Sequence, residues 1–143
     1  MNDDTAIRKI IEERARAIHD RDAEAVLRFY SDDVVNFDLA PPLAYRGRAA
    51  TDPAELKRWF DSWSGPIKLT FDQLTVHRAD NVAFAHGLMR MTGLRTDATR
   101  TDVWVRMTVG LEERDGAWKI VHEHQSFPTK MDGSGLSASD LKP

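Results

Sequence analysis

The side chains best equipped for chemistry crowd the last third of the chain. His122-x-His124 places two imidazoles two residues apart in a run with strand character, where alternation turns both to one face. Such a pair is a fragment of a zinc site. A third ligand is not evident, because His86 should fall on another strand and the opposite face, while His19 and His77 have no ligand-rich context. A packed or interfacial histidine pair is the simpler assignment, and no metal is expected. The 143 residues include no cysteine, which removes thiolate nucleophiles, disulfides and Cys-ligated zinc together. No Ser-His-Asp arrangement is evident, and Gly133-Ser134-Gly135 lacks the preceding strand and following helix of a phosphate loop.

A second group of polar side chains emerges from pairing the last two strand-like runs. Asp115-Gly116 is a strong hairpin signal. A regular hairpin about it sets Glu123 opposite Thr108, Gln125 opposite Arg106 and Phe127 opposite Trp104. Asp102, Trp104, Arg106, Thr108, Glu123, Gln125 and Phe127 then share one face, and His86, Leu88 and Arg90 share a face of the preceding run. The other face carries Val103, Val105, Met107, Val109, Trp118, Ile120, His122 and His124. Aromatics mixed with a few polar anchors suit a half-open small-molecule cleft. The same composition also describes a solvated sheet face, and pattern alone leaves both open. Arg14 bears on the choice. It lies seven residues after Ile7 and four before Ile18, on an apolar stripe where a charge needs an interior partner or must snorkel to the edge.

The elements that must position these groups change character along the chain. Residues 5–19 repeat Ile7, Ile10, Ile11, Ala15 and Ile18 at helical spacing, with Asp3, Asp4 and Thr5 available as caps. Asp22 caps a shorter helix with Ala25, Val26, Phe29 and Tyr30 on its stripe; Ser31-Asp32-Asp33 breaks it, and 34–38 reads as a strand. Residues 40–43, with Pro41-Pro42, are irregular, and Tyr45 follows in a loop that could act as a lid. A third helix takes Thr51 as cap and Pro53 in its first turn, with Leu56, Trp59, Phe60 and Trp63 on one stripe. Trp59 and Trp63 would pack in the core or close a cavity. The β-rich runs 68–78, 82–94, 101–113 and 117–127 follow, so helices cover one face of a mostly antiparallel sheet in an α+β fold. We read residues 1–143 as one domain, with a core over about 5–128 and a polar tail over 129–143.

Composition narrows the partners. With 41% hydrophobic and 30% charged residues the chain is an ordinary globular sequence, and a net charge of −3 without a basic patch speaks against nucleic acid. No apolar run approaches the ~18 residues of a membrane span, and the acidic start MNDDTAIRKI has no signal-peptide core. A cytoplasmic protein with no membrane partner is expected.

The order of elements, together with HDRDAEAVLRFYSDDVVNFD and RDGAWKIVHEHQSFP, resembles the nuclear transport factor two-like superfamily over about residues 7–127. Within it, the chain is most similar to the SnoaL-like and ketosteroid-isomerase-homologue groups and to the association domain of calcium/calmodulin-dependent kinase. The resemblance implies a cone of curved sheet and helices around an apolar cavity, with a homodimer formed through the outer sheet face, here Trp118, Ile120, His122 and His124. It implies isomerase, lyase or cyclase chemistry, or a non-catalytic binding or association domain. In SDDVVNFD the final aspartate, Asp38, matches the general base of the isomerases, a carboxylate at the rim of an apolar cavity. The oxyanion donors differ: Arg14 stands where those enzymes have a tyrosine, and Thr108 at or near their second acid. These changes point away from a steroid and toward a more polar, carbonyl-containing or anionic substrate. Asp38 would move the proton while Arg106 and His86 hold the oxygen that gains charge. Arg14, Tyr45, Trp59, Trp63, Leu88, Arg90, Trp104, Thr108, Glu123, Gln125 and Phe127 would bind the ligand, and no cofactor is required.

Overall fold

The computed structural model describes residues 4–143. The first apolar stripe forms helix α1 (Asp4–His19), which removes Ile7 and Ile11 completely from solvent. Burying each of these side chains contributes about 1.5–3 kcal/mol. Asp4 and Thr5 lie inside the helix, while Asp3 is outside the described residues. Asp22 caps α2 (Ala23–Leu27) as expected, its side chain accepting the Ala25 N–H at 3.1 Å.

Strand β1 (Tyr30–Phe37) starts earlier than its local pattern suggests and includes Ser31-Asp32-Asp33. Parallel pairing with a later strand, Tyr30 opposite Ile120, overrides the weak β-propensity of that triplet. Strand β2 (Tyr45–Arg46) pairs Tyr45 with Asn36 and leads through a 3-10 turn (Gly47–Ala50) into α3 (Pro53–Asp61). The cap of α3 is Asp52, which accepts the Ala54 N–H at 3.0 Å, and not Thr51, whose hydroxyl donates to the Gly47 carbonyl instead. The helix ends at Asp61, so Trp63 leaves the stripe it shares in sequence and forms a bridge with Arg95.

Four long strands follow: β3 (Lys68–Ala79), β4 (Val82–Leu94), β5 (Arg100–Arg114) and β6 (Ala117–Ser126). They close a six-stranded sheet in the order β2-β1-β6-β5-β4-β3, antiparallel except for β1 against β6. The expected α+β class is therefore observed, with the helices on one face. That inner face supplies the main core: Ile7 and Ile11 pack with Val34, Ala85, Met89, Val105, Met107, Val109, Leu111 and Ile120. A second cluster gathers Ala17, Ala23, Val26, Phe60, Trp63 and Ile67 where α1, α2 and α3 meet. Residues 129–143 carry only an isolated bridge, Thr129 with Ser137. Among the described residues no helix is long and apolar enough to cross a membrane.

One irregularity decides which side chains face inward. Asp115 and Gly116 both have positive φ, 52° and 81°, as a two-residue hairpin turn of the twist-compatible type requires. The ladder from this turn is regular only as far as Leu111–Ile120; the next pair is Gly110–His122, so Val121 is an extra residue in β6. Such a bulge reverses the side-chain alternation beyond it. Glu123 consequently faces Val109 and Gln125 faces Met107, not Thr108 and Arg106. The inner face holds Trp118 and Ile120 before the bulge and Glu123 and Gln125 after it, while His122 and His124 turn outward.

Glycine 93 shows how tightly the second cluster is built. A Cβ there would stand 2.7 Å from the Trp63 ring and 3.2 Å from the Pro66 carbonyl oxygen. Trp63 is 1% exposed and stacked under the Arg95 guanidinium, so the ring has little room to retreat. Gly93→Ala is expected to lower unfolding free energy by about 1–3 kcal/mol, measured by urea denaturation.

Candidate functional site

The bulge brings one charged pair into the core. Arg14 is 1% and Glu123 3% exposed, and their side chains meet at 2.8 Å between Nη1 and Oε1. Helix α1 supplies the arginine because its stripe faces the sheet, and β6 supplies the acid because Val121 resets its alternation. Tyr30, at the start of β1, completes the cluster: it accepts from Arg14 Nη1 at 2.9 Å and donates to Glu123 Oε2 at 2.7 Å. Gln125 Nε2 donates to Glu123 Oε1 at 2.9 Å.

Electrostatics follow from this geometry. Burial alone would push the Glu123 carboxyl up, but Arg14 and the Tyr30 and Gln125 donors outweigh it and leave the acid below its ordinary range. Burial works against the Arg14 cation too, yet Glu123 and Tyr30 raise its affinity for the proton. Burial first, and Glu123 second among the raising influences, keep the Tyr30 hydroxyl protonated against the pull of Arg14. Two arginine donors remain poorly used: Nε has no hydrogen-bond partner, and Nη2 reaches only Met107 Sδ at 3.7 Å, a weak acceptor.

Asp38 lies one residue beyond β1. The ladder of β1 with β6 stops at the Phe37–His124 pair, so nothing holds Asp38 on the inner face. The Asp38 side chain is exposed and not at the rim of an apolar cavity as expected, and Oδ1 accepts the Leu39 N–H at 2.7 Å. Surrounding protein raises its proton affinity above the usual carboxylate value, opposed by the Leu39 hydrogen bond and reinforced by the Glu123 charge.

The remaining candidates separate into groups. Arg14, Glu123 and Gln125 are united as the sequence implied, and Phe127 packs against the same core. His86, Leu88, Arg90, Trp104, Arg106 and Thr108 do not join them: the register turns all six to the outer face, where Arg90 holds Asp102 through two contacts of 2.8 Å and Arg106 donates to Ser126. The physical reason is the bulge, because a regular hairpin would have aligned them with Glu123. Trp59 and Trp63 pack edge to face, 5.7 Å between ring centres, in the second cluster and away from the charged pair. Tyr45 closes its own loop by donating to the Pro41 carbonyl at 2.9 Å.

Two residues escaped the sequence reading. Tyr30 was assigned to a helix stripe and Met107 to the outer face. The available signal was β5 itself, where Val105, Met107, Val109 and Leu111 alternate with Arg106, Thr108 and Glu112 and so mark the inner face. The proposed interface set is also divided, since Trp118 and Ile120 face the core while only His122 and His124 face out. Among the described residues no cluster of three or more histidines, acids or cysteines could hold a metal ion.

Two surface hollows lie on the helix side. One, about 500 Å³, runs between α1, α2 and β6 over Ile10, Phe29 and Trp118. The other, about 360 Å³, lies between α1 and β3 beside Ala15 and Phe71. Neither is lined by Asp38 or Glu123.

A family model for the SnoaL-like domain matches residues 7–130. The chain belongs to the SnoaL-like domain family. Among solved structures, this SnoaL-like chain is similar to an NTF2-like protein of unknown function from Pseudomonas putida KT2440. The two share 34% identity over 97% of this chain and 95% of that one, with a TM-score of 0.85. A nuclear transport factor 2 (NTF2-like) superfamily protein from Salmonella enterica serovar Typhimurium LT2 aligns at 20% identity, TM-score 0.76, over 92% and 96% of the two chains. The association domain of C. elegans CaMKII aligns at 18% identity, TM-score 0.68, over 87% and 99%. At these lower identities the likeness concerns the fold. A search of curated proteins found no match.

Because the SnoaL-like core encloses a charge pair, removing one member strands the other. Arg14→Met or Glu123→Leu alone is expected to cost about 3–5 kcal/mol in denaturant unfolding, and the double variant markedly less than their sum. The depressed Glu123 carboxyl contributes stability that is present above the unfolded glutamate value, near ~4.3, and is lost as pH falls through its folded value. Thermal unfolding across pH 7 to 3 should show this loss, and Glu123→Gln should remove that component.

Proposed function

We propose that the chain binds a small carbonyl-bearing molecule beside the outer end of β1, and that Asp38 exchanges a proton with it. What supports this reading is the position of Asp38 just beyond the end of β1, where the surrounding protein and then the Glu123 charge raise its carboxyl above the usual carboxylate range. A carboxylate held above its ordinary proton affinity is a better base toward a hydrogen beside a carbonyl. The isomerase and lyase chemistry seen by resemblance fits the same role, and needs no cofactor.

A second reading has its own observation. The outer face exposes Phe84 at 48% and Val82 at 53%, flanked by half-buried Leu88 and Trp104. Two aromatic groups of like composition stand on either side of Thr108 and Gly110: Phe84 with His77 and His86, and Phe37 with His122 and His124. A two-fold axis along the strands would lay the first group of one copy over the second group of another, a self-complementary contact. The similar CaMKII domain is an association domain by name. Pairing of two copies through this face is compatible with a ligand site on the inner side.

Both readings are testable separately. With small ketones and aldehydes selected by thermal shift, the protein should catalyse deuterium uptake beside the carbonyl in D₂O, followed by NMR. Asp38→Asn should reduce that exchange by about 10²–10⁴-fold. Because the folded state raises the Asp38 carboxyl, its ionised form disfavours folding at neutral pH, and the variant should melt no lower than the wild type. Undiminished exchange in Asp38→Asn would remove this residue from the chemistry. Phe84→Glu should shift a dimer to monomer by light scattering while leaving the circular dichroism unchanged.

A further inference from the structure

We propose that the hollow between α1 and β3 binds a small carboxylate with an apolar body, an aryl- or alkyl-alkanoate, whose charge is taken by Arg16 and Lys68. The site is independent of Asp38, which does not line it. Its shape follows from where the first helix crosses the sheet. Strand β3 is an edge of the sheet, and its Leu69 and Phe71 pair with Met91 and Met89 of β4, so both belong to the inner face. Both pack against the core on one side but stay only half-buried. With Ala15 of α1 they form an apolar shelf in a hollow of about 360 Å³. That size falls within the ~300–1,000 Å³ usual for small-molecule sites.

Charge around the shelf is uneven. Glu12, Arg16 and His19 follow one another at spacings of four and three residues, which brings them to one side of α1. Lys68 begins β3 and completes the rim. Arg8 donates to the Leu74 carbonyl at 3.0 Å, so the helix runs against the direction of β3 and its last turns lie toward Lys68. Arg16 and Lys68 thus stand at the Leu69 end, and Glu12 toward Phe71. Among the described residues neither the Arg16 nor the Lys68 side chain has a hydrogen bond or an ion pair, whereas His19 Nδ1 is engaged by Asp20 at 3.0 Å. Two unpaired cations therefore await an anion at one end of an apolar surface. The larger hollow selects no sign, because Glu13, Asp20 and Asp22 there balance Arg16, Arg28 and Lys119.

Both halves of such a ligand contribute. Exposed cations alone hold a carboxylate weakly, since water screens them. An apolar body seated on Leu69 and Phe71 displaces water from that side, and the attraction between opposite charges grows as the local dielectric falls. The Arg16 guanidinium can offer two parallel N–H donors to a carboxylate, and Lys68 adds a point charge. A neutral amide of the same shape would keep the apolar contact and lose the charge.

Titration of the full chain with phenylpropionate, followed by NMR of the backbone amides, tests this, with phenylpropionamide as the uncharged control. The expected result is saturable shifts at Ala15, Leu69 and Phe71, with the carboxylate bound about tenfold more tightly than the amide. Arg16→Gln/Lys68→Gln, which changes two exposed positions, should bring the two affinities within about twofold of each other and leave that of the amide unchanged. No saturable shift at those three residues, or shifts confined to other parts of the chain, would overturn the hollow as a binding site. Equal affinity for carboxylate and amide, or a preference that survives in the double variant, would overturn the assignment of the anion to Arg16 and Lys68. Deuterium exchange attributed to Asp38 is read separately, so failure here leaves that reading standing.

Discussion

The buried contact between Arg14 and Glu123 constrains the rest of the molecule. Two opposite charges almost wholly removed from water are tolerable only when each has its partner and its hydrogen bonds. Helix α1 must therefore lie on the sheet at a rotation that brings Arg14 to β6, and β6 must present Glu123 inward at that level. Tyr30 and Gln125 complete the carboxylate, so the start of β1 and the end of β6 are held by the same cluster that holds the helix. A hydrocarbon core could be filled in several registers; a charged one accepts very few. The pair acts as a register pin for the helix, the parallel β1–β6 contact and the bulge together.

The bulge at Val121 is the device that makes the pin possible. Before it, Trp118 and Ile120 fill the core; after it, Glu123 and Gln125 do, and the histidines between them turn outward. One extra residue thus gives a single strand an apolar inner half and a polar inner half. The sheet acquires two distinct surfaces as a result. The inner surface carries the buried Arg14–Tyr30–Glu123–Gln125 cluster, and the outer surface carries aromatic and imidazole rings.

Much of the architecture was legible in the sequence because it rests on periodicity. The α1 stripe, the Asp22 cap, the Asp115-Gly116 turn and the four long strands have strong local signals, and their observed boundaries differ by only a residue or so at most ends. The interior position of Arg14 was legible too, as a charge on an apolar stripe. The candidate site was legible only in part. Arg14, Glu123 and Gln125 meet on the inner side and Asp38 is exposed beyond the end of β1, whereas six other candidates moved to the outer side together, because all six were placed by a single assumption of regular alternation.

What the sequence determined by itself was the class of each element and the need of Arg14 for an interior partner, since hydrophobic spacing and the cost of burying charge operate locally. Only the tertiary structure decided that the partner is Glu123, that Tyr30 joins them from a strand, and that His86 and Arg106 face outward. Those outcomes depend on one unpaired residue in β6 and on a parallel contact between segments some ninety positions apart, Tyr30 with Ile120. A bulge leaves little trace in a local pattern, because its position is selected by what the two faces must pack against.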